Sequence, residues 1–415
     1  MSFSSLGLSS QLIRAVEERN YSAPTPIQTA VIPAVLGGRD VWACAHTGSG
    51  KTAAFALPLL QRGSDGQQES PRRVRALILV PTRELAAQIG ESIGIYARYL
   101  PRQIKIATVF GGVSINPQMM ALRGGADLVV ATPGRLLDLV EQNALSLRSV
   151  ETLVLDEADR LLDLGFAEEL ERVLGLLPER RQNLLFSATF PSAVHELAEK
   201  LLRDPLRVDV PSSPETTPDI LQRAIQVDPS RRTQLLRHLI QEQGWTRVLV
   251  FVATKYSTEH VSEKLRRAGI DAAALHGELS QGARTQALAD FKARQLQVVV
   301  ATDVAARGID IAQLPAVVNY DLPRSAADYI HRIGRTGRAG ESGVAVSFVS
   351  AGTEAHFRLI EKRHALKLVR ETIAGFEPVE TAVPVAGTGD AATGGIEGNR
   401  RSKKDKLRER AARSG

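Results

Sequence analysis

Ten short apolar runs, each followed by a stretch of helical period, constrain the fold more than any other feature of this chain. Five of them, VWACA (41–45), ALILVP (76–81), DLVVATP (127–133), TLVLDEA (152–158) and NLLFSAT (183–189), lie in the first half. Five more, at 247–254, 272–277, 297–303, 316–323 and 343–349, lie in the second. A strand that is apolar at every position has no solvated face, so it belongs in a parallel sheet covered by helices on both sides. Between the two series the segment 211–222, PSSPETTPDILQ, is rich in Pro and Ser and breaks the alternation, so it reads as a linker. The expected architecture is α/β: two lobes of similar size, each built on a parallel sheet.

A length of 415 residues at 43% hydrophobic composition is enough to give both lobes a core. No apolar stretch approaches the length of a membrane span, and the opening MSFSSLGLSSQLIRAVEERN lacks the basic start and apolar centre of a secretory signal. A single cysteine, Cys44, excludes an intramolecular disulfide and a thiolate zinc cluster; in DVWACA it reads as a small buried hydrophobe. These features imply a cytoplasmic protein with no membrane partner. The formal charge of +6 is carried entirely by 400–413, which hold eight Lys/Arg and two Asp/Glu; the rest of the chain balances at 44 of each sign. The tail suits a polyanion, whereas the body must declare its partners through motifs. After about residue 378 the sequence loses its period, and 379–415 is expected to be a disordered basic tail.

AHTGSGKT (45–52) follows the first run and precedes a helical segment, the context of a phosphate-binding loop. Gly48 and Gly50 let the backbone turn its N–H groups toward phosphates, with Ala45, His46, Thr47 and Ser49 completing the loop. Lys51 would bridge the β- and γ-phosphates, and the Thr52 hydroxyl would reach Mg²⁺. VLDEADRLL (154–162) sets Asp156 and Glu157 at the end of a buried strand, where bare carboxylates are costly. In an open parallel sheet that end faces the same crevice as the phosphate loop. Asp156 would hold Mg²⁺ through water, and Glu157 would orient and deprotonate the attacking water. Farther on, HRIGRTGR (331–338) places Arg335 and Arg338 three residues apart, so both could address a γ-phosphate if the second lobe closes on the first.

With these residues in place, the chain resembles the DEAD-box RNA helicases, most closely their bacterial RhlE-type branch, from Phe3 to about Val349. The resemblance implies two tandem RecA-like domains at 31–210 and 223–378, preceded by a Q-motif segment at 1–30 and joined by the linker. PTPIQ (24–28) matches the Q motif, which implies that Gln28 reads the adenine edge and that Phe3 stacks on the ring. Asp310 matches the residue that contacts the ATP ribose. PTREL (81–85), GG (111–112) and TPGR (132–135) match RNA-contacting motifs, implying backbone contacts from Arg83, Gly111, Gly112, Thr132 and Arg135. Thr254, Gln281, Arg284, Thr302 and Arg307 match such positions in the second lobe. SAT (187–189) matches the motif that links hydrolysis to strand separation, and Asp159 is implied to hydrogen-bond toward its Ser187 and Thr189. His331 is assigned to the same interlobe coupling.

The resemblance therefore implies an ATP-dependent RNA helicase that uses ATP and Mg²⁺ and opens duplexes locally, without sequence preference. It acts as a monomer, with ribosomal or RNA-decay proteins as possible partners. The same motifs would serve an ATP-gated RNA clamp or assembly platform. The Q motif and the DEAD spelling lean away from a DNA helicase.

Overall fold

The protein was analysed as a computed structural model, which describes residues 2–45, 48–65, 70–209, 220–306, 314–337 and 342–380. Seven strands form the first sheet: β1 (Val41–Cys44), β2 (Ala76–Leu79), β3 (Ile106–Val109), β4 (Leu128–Ala131), β5 (Thr152–Leu155), β6 (Gln182–Ser187) and β7 (Leu206–Asp209). Their order is β3-β4-β2-β5-β6-β1-β7, and every pairing is parallel. The second sheet contains β8 (Ile220–Gln226), β9 (Val248–Phe251), β10 (Ala272–Leu275), β11 (Val298–Ala301), β12 (Ala316–Asn319), β13 (Gly343–Val349) and β14 (Arg370–Glu371). Its order is β10-β11-β9-β12-β13-β8-β14, again with parallel pairings. Two tandem lobes of the expected class result.

Burial explains why the strands are apolar throughout. In β5 and β6, Val154, Leu184 and Phe186 enter one core, while Leu153, Leu155 and Leu185 enter another on the opposite face. Successive side chains alternate across a pleated sheet, so two covered faces require an uninterrupted apolar run. All ten apolar runs form strands. The strands outside that pattern, β3, β7, β8 and β14, lie at or next to a sheet edge. β7 alternates half-buried with exposed residues, as an edge allows.

Two boundaries differ from expectation. β8 begins at Ile220, so residues 220–222 of the expected linker are strand: Leu221 pairs with Val344 despite being exposed. At the far end, the N–H groups of Val379 and Glu380 donate to the Asp228 carboxylate at 2.9 and 3.2 Å, so these two residues of the expected tail dock on lobe 2. The remainder of the tail, and linker residues 211–219, lie outside the described residues. The N-terminal segment shares the first core: Phe3, Leu6, Leu8 and Leu12 pack with Phe55 and Phe186.

Asp40 ties the entrances of three strands together. It precedes β1, accepts the Asn183 N–H at 2.8 Å and the Arg203 N–H at 2.9 Å, and offers its own carbonyl to the Leu206 N–H. Asp40→Ala strands two donors, at about 1–3 kcal/mol each. It is expected to lower the urea midpoint of lobe 1 and leave lobe 2 unchanged. Trp42 and Trp245, one in each lobe, report the two transitions separately by fluorescence; coincident shifts of both would contradict this.

Candidate active site

The phosphate loop leaves β1 at Ala45, whose N–H donates to Ser187 O at 3.0 Å, and re-enters regular structure at the helix Lys51–Asp65. Gly48 and Gly50 have φ of 90° and 93°, a region that side chains disfavour. A Cβ on Gly50 would sit 2.5 Å from Gln28 Nε2. The loop thus turns its N–H groups toward the helix N-terminus, an arrangement suited to phosphate. Lys51 is buried, and its Nζ donates to Ala45 O at 2.8 Å, spanning the mouth of the loop. Ser49 is buried and Thr52 half-buried. His46 and Thr47 lie outside the described residues.

Two nucleotide contacts expected from the sequence are placed differently. Gln28 is 2% exposed; its Oε1 accepts the Thr25 N–H at 3.0 Å and its Nε2 donates to Gly50 O at 3.2 Å. The amide therefore ties the N-terminal segment to the phosphate loop, which leaves one hydrogen and one lone pair for a base. Phe3 is 5% exposed within the lobe 1 core and presents no free ring face for stacking. An aromatic at the start of an apolar-patterned segment gains more from burial than from an exposed platform. Asp310 lies outside the described residues.

Asp156 and Glu157 end β5 on the same side of the sheet. The Asp156 carboxylate accepts the Glu157 N–H at 2.9 Å. Burial pushes Asp156 up to about 6, offset in part by Lys51 and reinforced by the charge of Glu157. A desolvated acid of this kind beside a phosphate loop calls for a dication, so Asp156 and Thr52 fit the holding of Mg²⁺. Glu157 has φ 53° and ψ 51°, a left-handed conformation that costs a non-glycine residue roughly 1–3 kcal/mol. This strain turns the chain from strand to helix at that residue and fixes its carboxylate against Arg160, whose Nη1 lies 3.1 Å from Glu157 Oε2. Asp159 behaves as expected: it accepts the Thr189 N–H and Oγ1 at 3.0 and 2.7 Å, and its own N–H donates to Ser187 Oγ at 3.2 Å.

Lobe 2 closes over this surface. A cleft is lined by Arg160 of lobe 1 and by Phe251, Asp303, His331, Arg332 and Arg335 of lobe 2. Arg332 frames it: its guanidinium donates twice to Asp303 at 2.6 and 2.7 Å, reaches Asn319 Oδ1 at 3.0 Å and lies 4.8 Å over the Phe251 ring. Burial drives His331 down from an ordinary 6.5 to about 4, aided by Arg160 and Arg335 and opposed by Asp159 and Glu157. His331 and Arg335 are thus brought to the DEAD segment, while Arg338 lies outside the described residues.

The expected RNA contacts divide into two groups. Gly112 and Thr254 are exposed, and Gly111, Gln281 and Thr302 half-buried, so all five can meet a ligand. Thr132 is buried, and its Oγ1 accepts the Gly111 N–H at 3.4 Å. The arginines are framing residues. Arg284 is 2% exposed and pairs with Glu84 across the lobes at 2.6 Å, with His276 O at 3.2 Å as a second acceptor. Arg83 also pairs with Glu84, at 3.0 Å, and lies under Gly112. Arg135 donates to Val113 O at 2.8 Å, fixing the glycine loop. A buried guanidinium needs acceptors within the protein, which a solvated loop would not supply. Arg307 lies outside the described residues. Sequence reasoning missed Arg160, Glu84 and Arg332; their presence inside the quoted motifs VLDEADRLL, PTREL and HRIGRTGR was the one signal that could have flagged them.

Comparison with known proteins accords with this geometry. A DEAD/DEAH box helicase model matches residues 25–197, and a helicase conserved C-terminal domain model matches 231–340. The chain is 42% identical over 379 residues to the ATP-dependent RNA helicase DeaD of Mycobacterium tuberculosis, covering 91% of this chain and 66% of that protein. It is 40% identical over 368 residues to the DEAD-box ATP-dependent RNA helicase CshA of Bacillus cereus, covering 89% and 69%. Among solved structures, Dbp5 of S. cerevisiae bound to RNA and ADP BeF3 superposes with TM-score 0.78 at 32% identity, covering 89% and 95%. A DEAD box protein from Methanococcus jannaschii gives only 0.51 at 37% identity, covering 90% and 99%. Lower global similarity at higher identity is what a different placement of two like lobes would produce. The chain belongs to the DEAD/DEAH box helicase family.

His331 supplies a test of this closed arrangement. Burial, with Arg160 of lobe 1 adding to it, depresses its pKa in this arrangement, so an open form that solvates the ring should take up a proton between about 6.5 and 4. Closure should be at full strength above 6.5 and weaken as pH falls below it. Energy transfer between dyes on the two lobes, with nucleotide kept saturating because Asp156 titrates near 6, should show this loss. His331→Gln should flatten it; an unchanged pH profile would contradict the placement of this side chain.

Proposed function

We propose that the chain is an RNA-stimulated ATPase that couples ATP hydrolysis to local, sequence-independent opening of RNA duplexes. The observation that carries this reading is the composite cleft, in which Arg335 and His331 of lobe 2 meet the Arg160–Glu157 pair of lobe 1. A catalytic set split between lobes can act only when they close, so a ligand that favours closure gates the chemistry.

The phosphate-loop N–H groups and Lys51 cradle the triphosphate, and Thr52 and Asp156 would hold Mg²⁺, which would supply neutralising charge at the phosphates. Glu157 positions and deprotonates the attacking water, and its fixed backbone limits where that water can sit. Arg335, with Arg338, meets the γ-phosphate. Gly111, Gly112, Thr132, Thr254, Gln281 and Thr302 contact the sugar–phosphate backbone, while Arg83, Arg135 and Arg284 position those loops. Contacts of that kind carry no base information. Hydrolysis reports to the RNA track through Asp159, Thr189 and Ser187, and coupling is reciprocal, so RNA tightens nucleotide binding as much as nucleotide tightens RNA binding.

The narrower assignments belong to the same reading: RhlE-type branch, cytoplasmic location, a monomer, and ribosomal or RNA-decay partners. The relatives matched above carry the names DeaD and CshA, so the branch rests on the sequence motifs alone. ATP turnover against single-stranded RNA concentration, with matched DNA alongside, tests the proposal. RNA should raise the rate at least about tenfold, DNA should do little, and Glu157→Gln, which removes a general base worth roughly 10²–10⁴-fold, should abolish the stimulated rate. A wild-type rate indifferent to RNA would remove the proposal.

A further inference from the structure

The charge of lobe 1 is divided unequally between the two edges of its sheet. Because all seven strands are parallel, the residues leading into them gather on one edge and the residues leaving them on the other. The leaving edge faces the crevice. Among described residues, the six positions after each strand hold three Lys/Arg and four Asp/Glu. The six positions before each strand hold twelve Lys/Arg and five Asp/Glu, a net of +7. This edge is as basic as the whole chain is by composition.

The carboxylates on that edge offset it only in part: Glu151, Glu179 and Asp204 are exposed, Glu151 lying 3.6 Å from Arg75 and Asp204 3.9 Å from Arg39, while the other two face inward. Asp40 and Asp127 are buried, and Asp127 accepts from Arg102 at 3.0 Å, from the Lys105 N–H at 2.7 Å and from Arg72. Arg39, Arg123, Arg148, Arg180, Lys200 and Arg203 are exposed. The Arg181 guanidinium is held below its ordinary range, first by burial and then by Arg203, so positive charges crowd one another there. Ten of the twelve basic residues are arginine, whose planar fork matches phosphate in two-point contacts. Seven strands about 4.8 Å apart make an edge about 30 Å long. A nucleic-acid duplex presents about one phosphate charge per 1.7 Å of axis, so the edge spans roughly one helical turn.

We propose that this edge is a second RNA surface, which takes the phosphate backbone of a duplex segment flanking the strand held in the crevice. The inference rests on the proposed function. It accounts for how a chain with a neutral body and an acidic-leaning catalytic edge gathers a polyanion. The crevice selects a single strand by fit, while the opposite edge supplies long-range attraction.

The test uses the full chain and the triple variant Arg123→Ala/Arg148→Ala/Arg180→Ala, spread over the entrances of β4, β5 and β6. RNA binding is measured by fluorescence anisotropy, for a duplex with a single-stranded overhang and for the bare overhang strand, across a salt series. For the overhang duplex, Kd at low salt should rise about tenfold and the log–log salt slope should fall by roughly 2–3, since each lost phosphate contact removes about 0.9. The bare strand's Kd and the saturated ATP turnover should not move, and the corresponding Arg→Lys triple should retain most of the slope. Unchanged duplex affinity and slope would overturn the inference and leave the edge to an acidic protein or an anionic membrane. A wild-type chain that binds bare strand but gains nothing from the duplex would overturn it with the functional reading intact. A wild-type chain that binds neither RNA would bring down both.

Discussion

Two buried carboxylates set the terms for the rest of this molecule. Asp156 and Glu157 are buried at the mouth of a sheet whose interior is hydrocarbon, and buried carboxylates are costly unless positive charge is delivered to them. Each delivery comes from a different part of the chain. Lys51 comes from the phosphate loop and Arg160 from the turn that Glu157 itself initiates, while Arg335 of the second lobe lines the cleft beside Arg160. The parallel topology makes this convergence possible, because it puts strand ends distant in sequence onto one line. The left-handed Glu157 is then intelligible as strain retained for position: a relaxed residue would carry the carboxylate elsewhere.

Much of this is legible in the amino-acid sequence. Uninterrupted apolar runs reveal ten of the fourteen strands, because a doubly covered strand has no alternative composition. The other four, β3, β7, β8 and β14, are three edge strands and one edge neighbour, and with less of each covered their patterns merge with those of ordinary loops. Residues whose role is local to a motif, such as Lys51, Asp156 and Asp159, are legible from spacing and resemblance. Residues whose role depends on a distant partner are not. Arg284 looks like an RNA contact because nothing in its neighbourhood says that Glu84, two hundred positions earlier, will bury it. Gln28 looks like a base reader, and its engagement with Gly50 emerges only when the two segments are folded together.

Charge shows the same limit in another form. By composition the body is neutral, which gives no argument for nucleic-acid binding, yet the fold sorts its charges into a basic edge and a mildly acidic one. The basic residues are scattered as ones, twos and threes over more than 160 positions. Only the parallel sheet collects them, by stacking the beginning of each strand beside the next. Net charge is a legitimate argument about association, but it is the charge of a surface that acts on a partner within a Debye length.

The contacts between the lobes explain why closure can be governed by ligands at all. Two that the described residues show are ionic and polar: Glu84 with Arg284, and Arg160 with the groups around His331 and Arg335. A buried ion pair regains in attraction about what its desolvation costs, so such an interface contributes specificity of alignment with little net adhesion. A large apolar interface would hold the lobes shut whatever was bound. Moving a two-state equilibrium from 1:99 to 99:1 requires about 5.5 kcal/mol of differential binding. With protein–protein adhesion near balance, that free energy has to come from groups bound across the cleft. Under the proposed function, nucleotide would reach both lobes through Lys51 and Arg335, and RNA through Gly112 and Thr254, so neither need suffice alone. Loss of the γ-phosphate would then remove one of the two and let the lobes part.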